Sequence, residues 1–411
     1  MMKNILLIFV WIGLLFTFCS QPDDAPYIPG KKVLTLRDQE YLKVIKNEDK
    51  PVNGKWDFNL QEEWWVDSAG DNPLVWVGSV CIDDDGTVFL LDGKYGKVAA
   101  FSSRGKFLFS FGKQGEGPGE LMRPGTLFLV GKYLVIQDIG NKIHYFNKKG
   151  EFVNTFKSGI YTRPKDFVDE FSFITLRSNP EKKQEKETLE IHNFNTGEKV
   201  VIAEITPEIP VEASNGEGSG SINIEIGDEN LSIKVVTGID TLHKEIYFGR
   251  NDNYTIKKTD PNGSGLLSFS IAGRKRKPVP LWYKRSLVEP IVINGRKLSK
   301  EMEKKLIKNM PDQSNYFNNI VVDETGLIYV YVTDITNKSG QGIDIFSSQG
   351  KYLYHATIEL AKGLQNRGPL VIKGEHLFAF VEEENGNRKL VKYKIKKPSQ
   401  GGGTPNLLSQ Q

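Results

Sequence analysis

Four short apolar runs separated by three turns recur in residues 79–111, 127–156 and 319–354, and this recurrence predicts an all-β fold, a six-bladed β-propeller. Two further observations support it. In each copy a Phe stands four residues before the Gly of the third turn: Phe101 and Gly105, Phe146 and Gly150, Phe346 and Gly350. The last copy is one strand short, and the other end of the chain holds a strand to complete it.

The first copy reads SVCIDDDGTVFLLDGKYGKVAAFSSRGKFLFSF, with turns at Asp85-Gly86, at 93–96 (GKYG) and at Arg104-Gly105. Each run between them is about five residues, the length of one strand. Asp-Gly between alternating runs signals a hairpin. The copy is therefore a four-stranded antiparallel meander, one blade. Gly105 to Gly150 is a step of 45 residues, and Gly105 to Gly350 is 245, which leaves room for two weaker copies at 166–205 and 222–271. A sixth copy, 370–396, has three strand-like runs. Residues 58–82 parallel 107–130 as outer strand, connection and next inner strand. The strand around Trp64 and Trp65 thus completes the sixth blade and closes the ring without an open seam.

The propeller is expected over 55–397, interrupted by one short helical insertion at about 272–318. Within the insertion LSKEMEKKLIKNMPDQSNY has helical periodicity, with Ser299 as N-cap, Pro311 as stop, and Met302, Leu306 and Met310 as a docking stripe. Residues 20–54, which open SQPDDAPYIPG, read as a tether and N-terminal extension. Residues 398–411, PSQGGGTPNLLSQQ, have the composition of a disordered tail.

Residues 1–19 read as an export signal. Lys3 precedes an apolar run from Ile5 to Phe18, and Cys19 closes it. The run is too short for a bilayer span, which takes about 20 residues, and has the length of a signal-peptide core. It resembles a bacterial lipoprotein signal, in which the cysteine is lipidated and becomes the first mature residue. Such signals usually carry a small residue where Phe18 stands, so an uncleaved anchor and ordinary secretion remain open beside it. All three put the rest of the chain outside the cytoplasm, at a bacterial cell envelope. The other cysteine, Cys81, lies between Val80 and Ile82 and reads as a small buried apolar residue.

The copies at 79–121 and 319–353 resemble NHL repeats, in their Asp-x-x-Gly-x-hydrophobic-Tyr/Phe-hydrophobic run and the later Phe-x-x-x-Gly-Lys-Phe/Tyr-Leu run. The chain as a whole, over roughly 55–397, resembles the six-bladed propeller lipoproteins common in Bacteroidetes and related bacteria. That resemblance implies a fold and a location but no agreed activity.

Composition narrows the function classes. A net charge of +3 over 411 residues makes no case for nucleic-acid binding, and two cysteines leave no disulfide framework. The Gly-rich connection 112–120 lacks the Lys-Ser/Thr and helix of a phosphate loop, so its glycines serve its turns. The strongest charge cluster is Arg274, Lys275, Arg276, Lys277, Trp282, Tyr283, Lys284 and Arg285, read as a solvated face or a contact for lipid headgroups, a polyanion or a protein. Ligand candidates on loops at the channel mouth are Asp92, Lys94, Tyr95, Asp138, Asn141, Asp334 and Asn337; an Asp ending a second strand more often bonds its own backbone.

Two functions are open. One is a non-catalytic binding module, a monomeric propeller without cofactor or metal, presenting a face or channel mouth to a protein, peptide or glycan. The other is a metal-dependent hydrolase or lyase, lactonase-like or amidating-lyase-like, with its site in the channel. The second needs ligands converging from several blades. The histidines His144, His192, His243, His355 and His376 are scattered one per blade from the second to the sixth, and neither His144 nor His355 lies in a loop carrying other ligands.

Overall fold

A computed structural model describes residues 41–157, 163–177, 187–205, 212–213, 224–225, 228, 230–293, 295–336 and 340–396. The export signal with Cys19, the tail at 398–411 and Asn337 lie outside the described residues.

Six four-stranded antiparallel sheets follow one another round the ring, as predicted. Blade 1 is Val77–Ile82, Val88–Asp92, Lys97–Phe101 and Phe107–Phe111, from innermost to outermost. Blade 2 runs from Thr126–Val130 through Tyr133–Gln137 and Lys142–Asn147 to Phe152–Lys157. Blade 3 comprises Pro164–Asp169, Ser172–Arg177, Glu187–Asn193 and Lys199–Ile205. Blade 4 comprises Val235–Asp240, Glu245–Arg250, Thr255–Thr259 and Gly265–Ile271, so the copy predicted from residue 222 starts its inner strand later. Blade 5 is Phe317–Val322, Ile328–Val332, Gly340–Phe346 and Tyr352–Glu359.

Blade 6 closes the ring. Leu364–Lys373, His376–Glu383 and Arg388–Lys394 take their fourth strand from Gln61–Val66, with Trp64 opposite Lys392 and Trp65 opposite Val391. Joining the two ends of the sequence in one sheet leaves the ring no open seam.

The burial pattern follows from the architecture. Middle strands are covered by a neighbouring blade on each side, so Val88–Asp92 is buried at every position, whereas the outer strand Phe107–Phe111 alternates. The core is accordingly a set of slabs between consecutive blades. Leu91, Val98 and Phe146 fill the slab between blades 1 and 2, Tyr145 and Phe173 the next, and Phe269 and Phe346 that between blades 4 and 5. The Phe of each Phe-x-x-x-Gly copy belongs to these slabs. Phe146 meets Phe111 of the preceding blade at 4.9 Å between ring centroids, and Phe346 meets Phe269 at the same 4.9 Å.

Ordered chain begins before residue 55. Lys43–Asn47 lies parallel to the outer strand of blade 4, and Lys55–Trp56 parallel to that of blade 5. This strap covers two outer edges before the chain enters blade 6. Trp56 anchors it, buried with its Nε1 donating to Lys396 O at 2.7 Å.

The insertion holds two helices where one was expected. Helix α2, Lys300–Asn309, is capped by Ser299, whose Oγ accepts from Met302 N at 3.2 Å. Met302, Leu306 and Met310 are buried as the stripe requires. The second helix, α1, is Leu281–Val288, formed by residues read from sequence only as a basic stretch. Both dock through Val288, Leu306 and Met310 on Leu231 and Ile335, loop residues beside blades 4 and 5.

Candidate functional site

The connections between blades and the loops between second and third strands meet at one end of the ring. Six of the predicted ligand residues sit there, Asp92, Lys94, Tyr95, Asp138, Asn141 and Asp334, and two of them, Asp92 and Asp138, are committed to backbone. Asp92 accepts from Lys94 N at 2.9 Å through Oδ1 and from Val75 N at 3.2 Å through Oδ2. Asp138 accepts from Arg123 N at 2.6 Å and Ile139 N at 2.7 Å through Oδ1, and from Met122 N at 2.7 Å through Oδ2. Each carboxylate ends a second strand and staples its own loop to the connection arriving from the previous blade. Asn251 holds the same place in blade 4, accepting from Lys234 N at 2.8 Å. Burial raises the Asp138 carboxyl, but the nearby His144 ring and the bonds from the three amides outweigh it and hold the group below its ordinary range.

Around these staples the loops present apolar side chains. Gly93 N donates to Trp76 O at 3.0 Å, and a Cβ on Gly93 would come within 2.4 Å of the Trp76 ring, so the indole lies flat on that turn. A Cβ on Gly96 would lie 3.0 Å from Leu121 O, which brings the next connection alongside. Trp76, Met122 and Ile139 are 54%, 37% and 44% exposed, and Lys94 lies 5.4 Å over the Tyr95 ring. These side chains form a rim over blades 6, 1 and 2, with Arg123 next in sequence to Met122. Asn141 takes a left-handed φ of 59° in the turn Ile139–Asn141. Asp334, on blade 5, accepts from Thr336 N at 3.0 Å and Thr336 Oγ1 at 2.6 Å and so caps its own turn.

Two histidines that the sequence leaves isolated have buried aspartate partners. His144 Nε2 is 3.5 Å from Asp138 Oδ2, while its Nδ1 meets Thr155 Oγ1 at 2.8 Å. His355 Nδ1 is 2.8 Å from Asp344 Oδ1, across two directly paired strand positions. Cross-strand pairing sets His355 beside Asp344 and His144 beside Thr155, and sequence spacing alone does not register it.

Asp344 is the centre of the densest polar cluster. Its side chain is fully buried between blades 4 and 5 and accepts from Tyr254 Oη at 2.5 Å, Tyr352 Oη at 2.6 Å and Arg274 Nη1 at 2.8 Å. Burial works against ionisation, yet His355, Arg274 and the two hydroxyls win, and the carboxyl is held below its ordinary range. The guanidinium of Arg274 stacks over Tyr254 at 5.2 Å and Tyr352 at 5.8 Å, and its Nε reaches Asp49 of the N-terminal strap at 2.7 Å. Arg274 was read as part of a solvated basic run. Instead it ties two blades and the strap together.

Lys284 also turns inward. It is buried, with Nζ donating to Met310 O at 3.1 Å and Asp312 Oδ1 at 2.8 Å, because helical phase places position 284 on the docked face. Lys275, Lys277, Trp282 and Arg285 remain exposed, and Arg276 is half-buried.

On the channel wall, Lys165 sits at a bulge in the inner strand of blade 3 with Asp166 next to it, both half-buried. Lys165 Nζ reaches Val235 O of the next inner strand at 3.4 Å. Burial pushes Asp166 up to about 6. Cys81 is also half-buried and donates to Leu127 O at 3.3 Å; burial, and then the charge of Asp166, push its thiol up to about 12. Among the described residues no three His, Cys, Asp or Glu side chains come together in a way that would hold a metal ion.

The fold and these sites define a six-bladed β-propeller. The model of a family described as a 6-bladed β-propeller matches residues 68–212. No curated protein matches the chain. Among solved structures it is similar to a member of the DUF4221 family from Bacteroides vulgatus, at 11% identity and a TM-score of 0.52, covering 82% of this chain and 95% of that one. It is also similar to a protein described as exported from Bacteroides fragilis, at 16% identity and a TM-score of 0.48 over 86% and 99% of the two chains. A third is the calcium-binding protein regucalcin from Agrobacterium tumefaciens, at 9% identity and 0.41 over 84% and 97%. At these identities the likeness speaks to fold alone.

Proposed function

We propose that this chain is a binding module of the bacterial cell envelope, exported by residues 1–19, held by lipid on Cys19, and presenting the rim over blades 6, 1 and 2 to a protein or peptide. The observation that carries the reading is the rim itself. Trp76, Met122 and Ile139 stand half out of water on loops made rigid by the Asp92 and Asp138 staples. Aromatic, Met and Arg side chains on a rigid support are what protein interfaces favour. The carboxylates there spend their acceptor capacity on backbone amides, which leaves recognition to the apolar side chains with Lys94, Tyr95 and Arg123.

A photo-crosslinking residue at position 76 or 139, in cells, tests the rim. Defined adducts at both positions and none at Leu242, an exposed residue on a loop at the other end of the ring, support it. Equal labelling at all three positions removes the rim as a site. The anchor has a separate test: Cys19→Ser abolishes lipid labelling and releases the chain from membranes, and persistence of both refutes the lipid tether.

A further inference from the structure

The insertion between blades 4 and 5 carries a charge that the rest of the chain does not share. Residues 272–316 hold twelve Lys and Arg against four Asp and Glu, a net +8, while the whole chain carries +3; the remainder is therefore net −5. Nine of the twelve cations are exposed. Of the other three, Arg274 and Lys284 are consumed by the contacts described above, and Arg276 is half-buried. The stretch is thus not uniformly solvated: two cations hold the insertion in place, and the exposed ones face outward from a rigidly docked platform.

The same platform exposes apolar groups. The outward face of α1 presents Leu281, 52% exposed, Trp282, 45% exposed, and Arg285, with Glu289 at its far end. Val292, 55% exposed, follows at the start of the next hairpin. The docked face is filled by Val288, Met302 and Leu306. Exposed Trp and Leu among Lys and Arg is the pattern of a surface that rests at a bilayer interface, where the indole and aliphatic groups enter the headgroup boundary and the cations meet phosphate. An acidic glycan would account for the charge and for stacking on Trp282, but it gives no role to Leu281 and Val292.

We infer that the helical insertion is a docking surface for an anionic phospholipid membrane. The insertion is the connection between blades 4 and 5, so it lies at the same end of the ring as Trp76, Met122 and Ile139, across the channel from blades 1 and 2. Residues 20–40 separate Cys19 from the first described residue. At most that stretch spans about 70 Å when fully extended. A tether of that reach does not select which face meets the membrane, whereas the charge of the insertion does. The inference rests on the envelope location proposed above only for where the bilayer is met.

Co-sedimentation of the full chain with phosphatidylcholine vesicles, with and without phosphatidylglycerol, tests it. The quadruple variant described below keeps residues 1–19 unchanged, so comparing it with the native chain removes the contribution of the N-terminal run with its Lys3. Binding is expected to rise with phosphatidylglycerol and to weaken in high salt. It should fall roughly tenfold or more when Lys275, Lys277, Lys297 and Lys304, all exposed, are changed together to Glu. Brominated phosphatidylglycerol should quench tryptophan fluorescence in the native chain and lose that extra quenching in Trp282→Phe. Equal binding to neutral and anionic vesicles overturns the inference. So does a folded quadruple variant that binds like the native chain. Competition by a soluble acidic polysaccharide, with no lipid quenching of Trp282, would reassign the surface to a glycan. None of these outcomes bears on the rim or on lipidation of Cys19.

Discussion

The indole of Trp64 lies against the backbone of Gly105, where an added Cβ would come within 2.8 Å of the ring. Its Nε1 donates to Ser103 O at 2.9 Å. Trp64 is the strand that the N-terminal side lends to blade 6, and Gly105 is the third turn of blade 1, with φ +77°. The contact recurs between Phe111 and Gly150, at 2.6 Å, and between Phe269 and Gly350, at 2.8 Å. An outer-strand aromatic lying on the next blade's third turn is therefore what the repeated glycine is for.

Gly105→Ala should lower stability by about 2–4 kcal/mol, from left-handed backbone strain plus displacement of the indole. Trp64→Ala removes the same contact from the other side. The two together should cost less than their sum, because they break one interaction. Thermal unfolding followed by circular dichroism measures this, and strictly additive losses would show the two residues to be independent.

Asp344→Asn leaves Arg274 without its buried counter-charge and should cost about 3–5 kcal/mol. Amide exchange over 43–56 should quicken as well, because Arg274 also holds Asp49 of the strap. Unchanged exchange there would show the strap to be held by its strand pairing alone. The folded Asp344 carboxyl is depressed, so its contribution is complete above the ordinary carboxylate value of about 4 and is lost as pH falls through the lower folded value.

Asp166 has the opposite sign. Its folded value of about 6 lies above that of the unfolded chain, so the folded state binds the proton more tightly. Stability should decline as pH rises from about 4 to about 6, by on the order of 1–3 kcal/mol. Asp166→Asn should raise the melting temperature at neutral pH, with the gain shrinking towards pH 4. An equal gain at both pH values would show that Asp166 does not titrate in this window.

Asp92→Ala and Asp138→Ala test whether these residues are staples. Each strands buried amides, which costs about 1–3 kcal/mol per charged hydrogen bond lost. Asp138 should be the costlier change, since it holds three amides and His144 where Asp92 holds two. Equal losses from the two variants, read by chemical denaturation, would count against this ranking.

The blades were legible because each is local: four strands joined by short turns announce themselves through Asp85-Gly86, the 45-residue step and Phe-x-x-x-Gly. Even the closure at Trp64 could be read, as the strand missing from one end and spare at the other. The α2 stripe was legible for the same reason, since Met302, Leu306 and Met310 repeat within one helix. Helix α1 was not, because Lys284 breaks the apolar pattern and is buried only through Asp312 and Met310 O, partners more than twenty residues away.

By itself, then, the sequence determined the number of blades, the order of the ring and the N-terminal apolar run ending at Cys19, which rest on patterns between near neighbours and on counting strands, while the inner strand of blade 4 was placed by the structure. Only the tertiary structure decided what the charged residues do. Whether Arg274 faces water or Asp344, and whether Asp138 faces a ligand or Met122 N, depends on which distant strand a blade sets beside it. That is fixed by packing between blades, where a buried charge survives only if its partner is delivered from elsewhere in the chain.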